Sequence, residues 1–286
     1  MNNPSVLITG ASRGLGEVLV RRFWSEGYNL HLVARDIYAL QILKQSLPVA
    51  QQSCTLHICD LSDTQAVESL CHQVVFESWP VDVLINNAAI HGPIGPLTDN
   101  DFSLWTQTIA VNLLAPVALC QAVVKLMLQR GSGSIINLSG GGATGPRPNF
   151  TAYASAKAAL VRFTESLALE LKDSSTTIRV NCIAPGAMKT ALLKEVLEQG
   201  KEVSGLREFT AAQKIFSGDD STMSRVADLA VFLASVQSAL ISGKLISAQW
   251  DRWDQWSAHA DVLESSDVYT LRRITGRDRG YTWGDL

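Results

Sequence analysis

The segment Thr9-Gly10-Ala11-Ser12-Arg13-Gly14-Leu15-Gly16 decides how this chain folds. It follows an apolar run at residues 6–8 and precedes a helical pattern over residues 17–24. A strand, a glycine turn and a helix in this order bring a phosphate group against backbone N–H groups at a helix N-terminus. The glycine spacing, G-x-x-x-G-x-G, differs from G-x-G-x-x-G, the commoner dinucleotide fingerprint. A glycine-rich turn that binds no ligand is therefore the alternative. The segment predicts a nucleotide site.

Short apolar runs alternate with longer helical patterns along most of the chain. The predicted strands are residues 6–9, 30–33, 56–59, 83–86, 134–138 and 179–183. The predicted helices are residues 17–24, 37–45, 64–76, 102–129 and 153–171. Continuously apolar strands are covered on both faces, and this alternation predicts a doubly wound parallel sheet between two helical layers, a Rossmann-like α/β/α fold. We expect one domain over residues 1–243, with a last strand near residues 245–246 and an extension to residue 286.

Composition narrows the class of protein. The chain has 286 residues, of which 47% are hydrophobic and 18% charged, and its net charge of -3 gives no electrostatic case for nucleic acid. We expect no membrane segment, since no apolar run has the required length, and no signal peptide before the first strand. Five cysteines without a C-x-x-C pair predict neither a disulfide framework nor a metal site. A reducing, cytoplasmic location is expected.

Tyr153 and Lys157 lie four residues apart in a strongly helical pattern, which places them on one helix face. An ammonium beside a phenol favours the phenolate, so the pKa of the tyrosine is expected to fall. Such a tyrosine donates or accepts a proton near neutral pH. The alternative is that Tyr153 and Lys157 form an ordinary surface pair without a catalytic role.

Together with the glycine turn, this pair makes the chain resemble the short-chain dehydrogenase/reductase family, in its single-domain branch. Matching segments run in order from residue 6 to residue 243. They are the glycine turn, Asp60-Leu61, Asn86-Asn87-Ala88-Ala89, Asn112, Ser139, Tyr153 with Lys157, and Pro185-Gly186 with Thr190.

The resemblance implies a role for each position. Tyr153 would protonate a carbonyl oxygen as hydride reaches the carbon, Lys157 would lower the pKa of the tyrosine, and Asn112 would hold a water that relays protons. The implied cofactor-binding residues are Gly10, Ser12, Arg13, Gly14, Leu15, Gly16, Arg35, Asp60, Leu61, Asn87, Ala88, Ala89, Tyr153, Lys157, Pro185, Gly186, Met188 and Thr190. The hydride chemistry belongs to the cofactor.

The serine of the family pattern is displaced in this chain. Most relatives carry it thirteen positions before the tyrosine, where this chain has Gly140, and the nearest serine is Ser139. The glycine run 140–142 allows the loop to shift and present Ser139, which is our expectation. Otherwise the function of the serine is lost or supplied elsewhere.

Charge at the end of the second strand bears on the choice of cofactor. Relatives that use NAD carry an acidic residue where Ala34 stands, and here Arg35 follows instead. Arg35 and Arg13 suit the 2′-phosphate of NADP, so NADP(H) is favoured over NAD(H). Asp36, the next residue, is an acidic group that would favour NAD(H). Its alternative role is an N-cap for the next helix.

Three features lie near the motif residues in the sequence and are candidates to border the predicted site: His91, Arg147 and residues 187–224. His91 is interpreted as a polar loop residue, and Arg147, between two prolines, either meets an anionic substrate or faces water. Residues 187–224 show weak helical patterning and are interpreted as a substrate-binding loop. The extension carries Trp250, Trp253, Trp256, Trp283 and several arginines, which suits an interface, a cover for the pocket or packing on its own domain.

These expectations combine into an NADP(H)-dependent oxidoreductase that interconverts a secondary alcohol and a ketone of a small molecule. The resemblance implies a homodimer or homotetramer paired through the helices predicted at residues 102–129 and 153–171. A non-catalytic NADP sensor is the first alternative, because Gly140 stands in the position of the serine. A sugar-nucleotide-modifying relative is the second.

Overall fold

One parallel sheet organises the chain in the computed structural model, which describes residues 3–76, 81–172, 174, 176–218 and 221–283. Within those residues it has seven strands, in the order β3-β2-β1-β4-β5-β6-β7. They are β1 (Ser5–Thr9), β2 (Asn29–Ala34), β3 (Cys54–Ile58), β4 (Val83–Asn86), β5 (Ser132–Leu138), β6 (Thr177–Ala184) and β7 (Leu245–Ser247). The predicted fold is confirmed, and the third strand begins two residues earlier than expected.

Helices cover both faces of the sheet. The principal ones are α1 (Leu15–Ser25), α2 (Ile37–Ser46), α3 (Thr64–Phe76), α4 (Phe102–Ile109), α5 (Ala115–Arg130) and α6 (Thr151–Lys172). Alternate residues of β1 point to opposite faces: Val6 and Ile8 join the core under α1 and α2, and Leu7 joins the core under α3 and α5. This alternation gives the strands their continuous apolar runs.

The strand order reverses between β1 and β4, and ligands of such sheets bind in the crevice at that point. The Thr9 side chain joins the two strand ends there. Its Oγ1 accepts hydrogen bonds from the backbone N–H of Asn87 at 3.0 Å and of Ala88 at 3.1 Å. The segment after β4 is thereby fixed beside the glycine turn.

The segment predicted as a loop at residues 187–224 is mostly helical, and this part of the prediction is wrong. It forms α7 (Ala191–Glu198), α8 (Gly200–Ser204), α9 (Leu206–Ser217) and the start of α10 (Thr222–Ala234). Each helix from α7 to α9 buries a single residue, although α7 and α9 are amphipathic. Positions 219–220 lie outside the described residues.

The helix predicted at residues 102–129 is interrupted by a π-helical turn over Ala110–Leu114. By length and composition alone the stretch Phe102–Arg130 is apolar enough to cross a membrane, with a hydropathy of 1.9, and 44% of its most apolar window is buried inside the protein. The buried residues of this stretch include Leu119, Val123 and Met127, which pack on the sheet. Core helices of this kind meet the same criterion.

The extension packs on its own domain. Trp256 and Leu263, the latter in α11 (Ala260–Ser265), belong to the main hydrophobic core. The backbone N–H of Leu245 in β7 donates to the carbonyl of Tyr269 at 2.8 Å, so the extension lies along the edge strand. Positions 284–286 lie outside the described residues.

Candidate active site

The glycine turn is shaped by close contacts that exclude side chains. A Cβ added at Gly16 would lie 1.9 Å from the carbonyl oxygen of Gly10, and one at Gly10 would lie 2.9 Å from the Cα of Ala88. Gly14 caps α1 at a φ of 57° with no side-chain cap hydrogen bond. The first N–H groups of α1 therefore face the crevice without a capping side chain, as phosphate binding requires. Leu15 is buried in the core and Ser12 is half-buried.

Two exposed arginines lie in this region, Arg13 in the turn and Arg35 at the end of β2. Among the described residues Arg13 has no side-chain partner, and Arg35 lies 4.0 Å from Asp60. Asp36 accepts a hydrogen bond from the backbone N–H of Ala39 at 3.1 Å, which confirms its capping role on α2. Asp36 is thus engaged, and the two guanidinium groups remain available to an anion.

Asp60 keeps a charged carboxylate. The backbone N–H and the hydroxyl of Ser62 donate to it at 2.9 Å and 2.7 Å. These hydrogen bonds, with the charge of Arg35, hold the pKa of Asp60 below its usual value. Leu61 is buried beside it and belongs to the core under α3.

The segment after β4 supports the turn. The amide of Asn87 donates to the carbonyl of Thr9 at 2.9 Å and of Gly10 at 3.3 Å. Ala88 and Ala89 are half-buried at the crevice. Across it, Thr190 caps α7 by accepting from the Leu193 N–H, and its Cγ2 lies 3.8 Å from the Cβ position of Gly14.

The rest of the segment after β6 lies along the same side. Pro185 is buried, Gly186 is exposed, and Met188 packs against the main core. A Cβ at Gly186 would lie 2.7 Å from the side chain of Gln249, and its φ is 79°. These residues therefore connect β6 to the helices that cover the crevice.

Tyr153 and Lys157 lie one turn apart on α6 and are both buried. The ammonium of Lys157 donates to the carbonyl of Leu138 at 2.8 Å and lies 5.7 Å from the centroid of the Tyr153 ring. The structure thus brings the two predicted residues to the end of β5.

The pKa of Tyr153 differs from the expectation. Burial raises it above its ordinary value, and the charge that opposes this rise is the guanidinium of Arg147. Burial lowers the pKa of Lys157 to about 8. The predicted fall in the tyrosine pKa is therefore wrong for the protein without cofactor, because desolvation outweighs the nearby charges.

Gly140, which stands in the family's serine position, lies against the phenol. A Cβ at Gly140 would lie 2.1 Å from the hydroxyl oxygen of Tyr153. Ser139, by contrast, is 3% exposed, and its Oγ is buried without a hydrogen-bond partner. The structure does not bring the hydroxyl of Ser139 into a hydrogen bond with Tyr153, and its catalytic role stays a prediction.

Asn112 lies within the π-helical turn and is fully buried. Its amide donates to the carbonyl of Ile90 at 2.7 Å and its carbonyl accepts from the Ile90 N–H at 3.0 Å. The side chain therefore holds the segment after β4, and its role in proton relay stays a prediction. Single π-helical turns occur often at functional sites.

His91 lies in the loop after β4, as interpreted from the sequence, but it is buried beside Tyr153. It is 4% exposed, and its ring meets that of Tyr153 edge-on with centroids 5.0 Å apart. Its Nδ1 lies 3.3 Å from a carboxylate oxygen of Glu195 on α7. Burial lowers the pKa of His91 despite this carboxylate.

Arg147 does not face water. Its Nε and Nη2 both lie 2.9 Å from one carboxylate oxygen of Glu208 on α9, and its guanidinium lies 3.9 Å from the centroid of Phe150. Glu195, Glu208 and Phe150 were missed in the sequence, which has no local signal that brings these residues to Tyr153.

The five cysteines are free thiols, of which Cys59, Cys120 and Cys182 are buried. Burial raises the pKa of Cys182, beside Lys157, to about 12. Within the described part of the chain, no cluster of three His, Cys, Asp or Glu residues could hold a metal ion.

Comparison with known proteins agrees with this geometry. The family model described as short chain dehydrogenase matches residues 4–201. The chain belongs to the short-chain dehydrogenase family. This short-chain dehydrogenase is 28% identical over 244 residues to the human "Dehydrogenase/reductase SDR family member 4", covering 85% of each chain.

Solved structures of other family members share its fold. One is a metagenomic short-chain oxidoreductase in complex with NADP, with 30% identity, a TM-score of 0.65, and coverage of 81% of this chain and 90% of that one. Another is an NAD⁺-bound xylitol dehydrogenase, with 25% identity, a TM-score of 0.74, and coverage of 86% and 97%. This short-chain dehydrogenase is therefore an oxidoreductase with a Rossmann-like fold.

Proposed function

We propose that this enzyme is an NADP(H)-dependent carbonyl reductase that interconverts a ketone and a secondary alcohol. The observation that carries the proposal is the placement of Tyr153 and Lys157. Both are buried on one face of α6, at the carboxyl ends of the parallel strands, where substrates of such folds bind. A buried phenol next to a lysine is a suitable proton donor for a carbonyl oxygen.

The crevice fits a dinucleotide. The glycines of the turn keep its backbone free of side chains, and the start of α1 lacks a side-chain cap. Both features suit a pyrophosphate. The remaining parts of the cofactor would be held along the crevice between the end of β3 and α7, by Asp60, Asn87, Ala88 and Thr190. When bound, the nicotinamide supplies or accepts the hydride.

The preference for NADP(H) rests on Arg13 and Arg35. Both are exposed beside the end of β2, and a 2′-phosphate offers each a charge-assisted hydrogen bond. Ala34 provides no carboxylate for the ribose hydroxyls, and Asp36 is occupied by capping α2. One related structure holds NADP and another NAD⁺, so the local charge of this chain is the basis of the choice.

Each residue near the bound cofactor has its own role in the proposed reaction. Tyr153 donates the proton to the carbonyl oxygen in reduction and takes it back in oxidation. Lys157 provides a buried ammonium whose pKa of about 8 leaves it charged at neutral pH. The Phe150 ring and α7 cover the site, since Phe150, Tyr153 and Val196 share a hydrophobic cluster that excludes water.

The enzyme is proposed to act as a homodimer through the outer faces of α5 and α6. Leu114, at the end of the π-helical turn before α5, is 56% exposed, Leu128 on α5 is 42% exposed, and Leu169 on α6 is 69% exposed. Exposed apolar residues on neighbouring helices are typical of a subunit interface. Light scattering of the purified protein tests this assembly.

A Tyr153→Phe variant tests the proposed reaction. Positioned proton transfer contributes about 100- to 10,000-fold, so oxidation of NADPH with a ketone panel should fall by that factor. NADPH binding, measured by titration calorimetry, should be retained. Tyr281→Phe, at an exposed site in the extension, is the matched control.

The rival function is a non-catalytic NADP sensor, which the absence of a serine at Gly140 favours. It predicts tight NADPH binding and no oxidation with any ketone in the wild type. Turnover that depends on Tyr153 would exclude it.

A further inference from the structure

Arg147 is a charged side chain that lies beside the proposed proton donor, and the mechanism above does not use it. Its guanidinium lies 5.5 Å from the centroid of the Tyr153 ring and 3.9 Å from that of Phe150. The side chain is 13% exposed. A guanidinium held between aromatic rings beside a reacting group is a natural binding point for a substrate anion.

The glycine run packs against this arginine. A Cβ at Gly141 would be in ordinary contact with the Cδ of Arg147, at 3.7 Å, and one at Gly142 would lie 2.6 Å from the Cβ of Ala154 and 3.2 Å from the Cβ of Arg147. Gly142 also has a φ of 95°, which favours glycine. The glycine run thus contacts the phenol of Tyr153 at Gly140 and the side chain of Arg147 at Gly141 and Gly142.

The guanidinium already binds a carboxylate. Its Nε and Nη2 both donate to one oxygen of Glu208 at 2.9 Å. Glu208 belongs to α9, which covers the site, and its side chain is 26% exposed, twice as much as that of Arg147. Glu208 is therefore the partner that can turn to water, while Arg147 stays in place.

We propose that Arg147 forms a carboxylate-binding subsite beside Tyr153, that Glu208 fills it in the absence of substrate, and that the substrate is a ketone bearing a carboxylate. The inference rests on the proposed carbonyl reduction. Exchange of one carboxylate for another keeps the buried guanidinium paired throughout, which avoids the large cost of an unpaired charge. A neutral ketone leaves Glu208 on Arg147 and gains nothing from the subsite.

Matched pairs of substrates test the subsite. We would measure kcat/KM with NADPH for 2-oxo, 4-oxo and 5-oxo acids and for their primary amides, which have nearly the same shape without the charge. The wild type should prefer at least one acid over its amide by about tenfold or more, the lower end of what a charge-assisted hydrogen bond provides.

Variants of the pair separate binding from structure. Arg147→Met should lower kcat/KM for the preferred acid by about tenfold or more and leave the amide within about threefold, mainly through KM. Glu208→Gln should raise kcat/KM for the acid, because the competing carboxylate is gone. Arg207→Met, at an exposed neighbouring site on α9, is the control for the loss of a positive charge.

Two results would overturn the subsite. One is equal use of acids and amides by the wild type. The other is a parallel loss of both activities in Arg147→Met and Glu208→Gln, which would make the ion pair a structural contact between α9 and the domain. Thermal unfolding of each variant, together with Arg147→Lys, which keeps the charge, shows whether the fold is intact.

Failure of the proposed reaction is distinguishable from failure of the subsite. If no ketone oxidises NADPH, titration calorimetry of the acids and amides into the NADP⁺-saturated protein still measures binding. Tighter binding of an acid that disappears in Arg147→Met supports the subsite without turnover. Equal binding of acid and amide contradicts it.

Discussion

The backbone of Gly140 lies against the hydroxyl of Tyr153, so closely that a Cβ at position 140 would stand 2.1 Å from the phenolic oxygen. In this protein the tyrosine occupies the space that a side chain at position 140 would take. A serine there would displace the phenol, and the hydroxyl of Ser139 is buried without a hydrogen bond to it. The position of the phenol therefore requires that residue 140 has no side chain.

The first prediction concerns these two positions. Ser139→Ala should keep turnover within about threefold, because the lost hydroxyl makes no hydrogen bond in the structure. Gly140→Ser should lower turnover by about 100-fold, since an ångström-scale shift of a reacting group has that effect. Steady-state NADPH oxidation measures both. A severe loss in Ser139→Ala would instead support the serine role expected from the sequence.

The second prediction concerns the cofactor. Arg35→Ala should raise KM for NADPH by about tenfold or more, because a charge-assisted hydrogen bond to the 2′-phosphate is lost. Activity with NADH should change little, since that cofactor has a hydroxyl at this position. Arg21→Ala, which removes an exposed ion pair with Glu17 on α1, is the matched control. Equal loss with both cofactors, or better use of NADH by the wild type, would contradict the choice of NADP(H).

The third prediction concerns pH and Lys157. Its pKa is lowered from 10.5 to about 8 in the folded protein, so between these values the unfolded chain binds more protons and stability rises with pH. Relative to Lys157→Met, the wild type should gain about 2 kcal/mol of unfolding free energy between pH 8 and 10. Urea unfolding of both proteins measures this difference.

Comparison with the variant is needed because other groups titrate in this range. Burial raises the pKa of Cys120 and Cys182 to about 12, so deprotonation of these thiols on unfolding destabilises both proteins as the pH rises. Tyr153, whose pKa burial also raises, acts in the same direction near pH 10. A difference between the two proteins that stays constant with pH would show that Lys157 is not desolvated.

The fourth prediction concerns the extension. Trp256 is 5% exposed in the main core, so Trp256→Ala should lower the free energy of unfolding by about 3–5 kcal/mol. Trp250, which is 83% exposed, provides the control, and its replacement by alanine should change stability by less than about 0.5 kcal/mol. Chemical denaturation measures both. Equal effects would mean that the extension does not pack as described.

Local sequence patterns were sufficient for the sheet. Its strands are short, continuously apolar and separated by amphipathic helices, so their order along the chain already implied parallel pairing. The glycine turn could be interpreted for the same reason, because its requirement is local: Gly10 and Gly16 meet within one turn. The spacing of Tyr153 and Lys157 likewise placed them on one helix face, and the resemblance added the role of each.

Contacts between distant segments could not be predicted in this way. The burial of His91 depends on Phe150 and Glu195, which belong to other elements, and the partner of Arg147 lies on α9. The glycine run at 140–142 suggested freedom of the backbone, whereas in the structure Gly140 and Gly142 leave space for the side chains of Tyr153 and Ala154 on α6. Such packing relations have no signature in a single sequence.

The hydrogen bond from Leu245 to Tyr269 has a consequence for solubility. β7 is the last strand on its side of the sheet, and the exposed margin of a sheet is a template on which another molecule can add a strand. Here the polypeptide's own final segment occupies part of that margin. The N–H of Leu245 is thereby withheld from any strand that would add at this margin, independently of any part that the extension takes in catalysis.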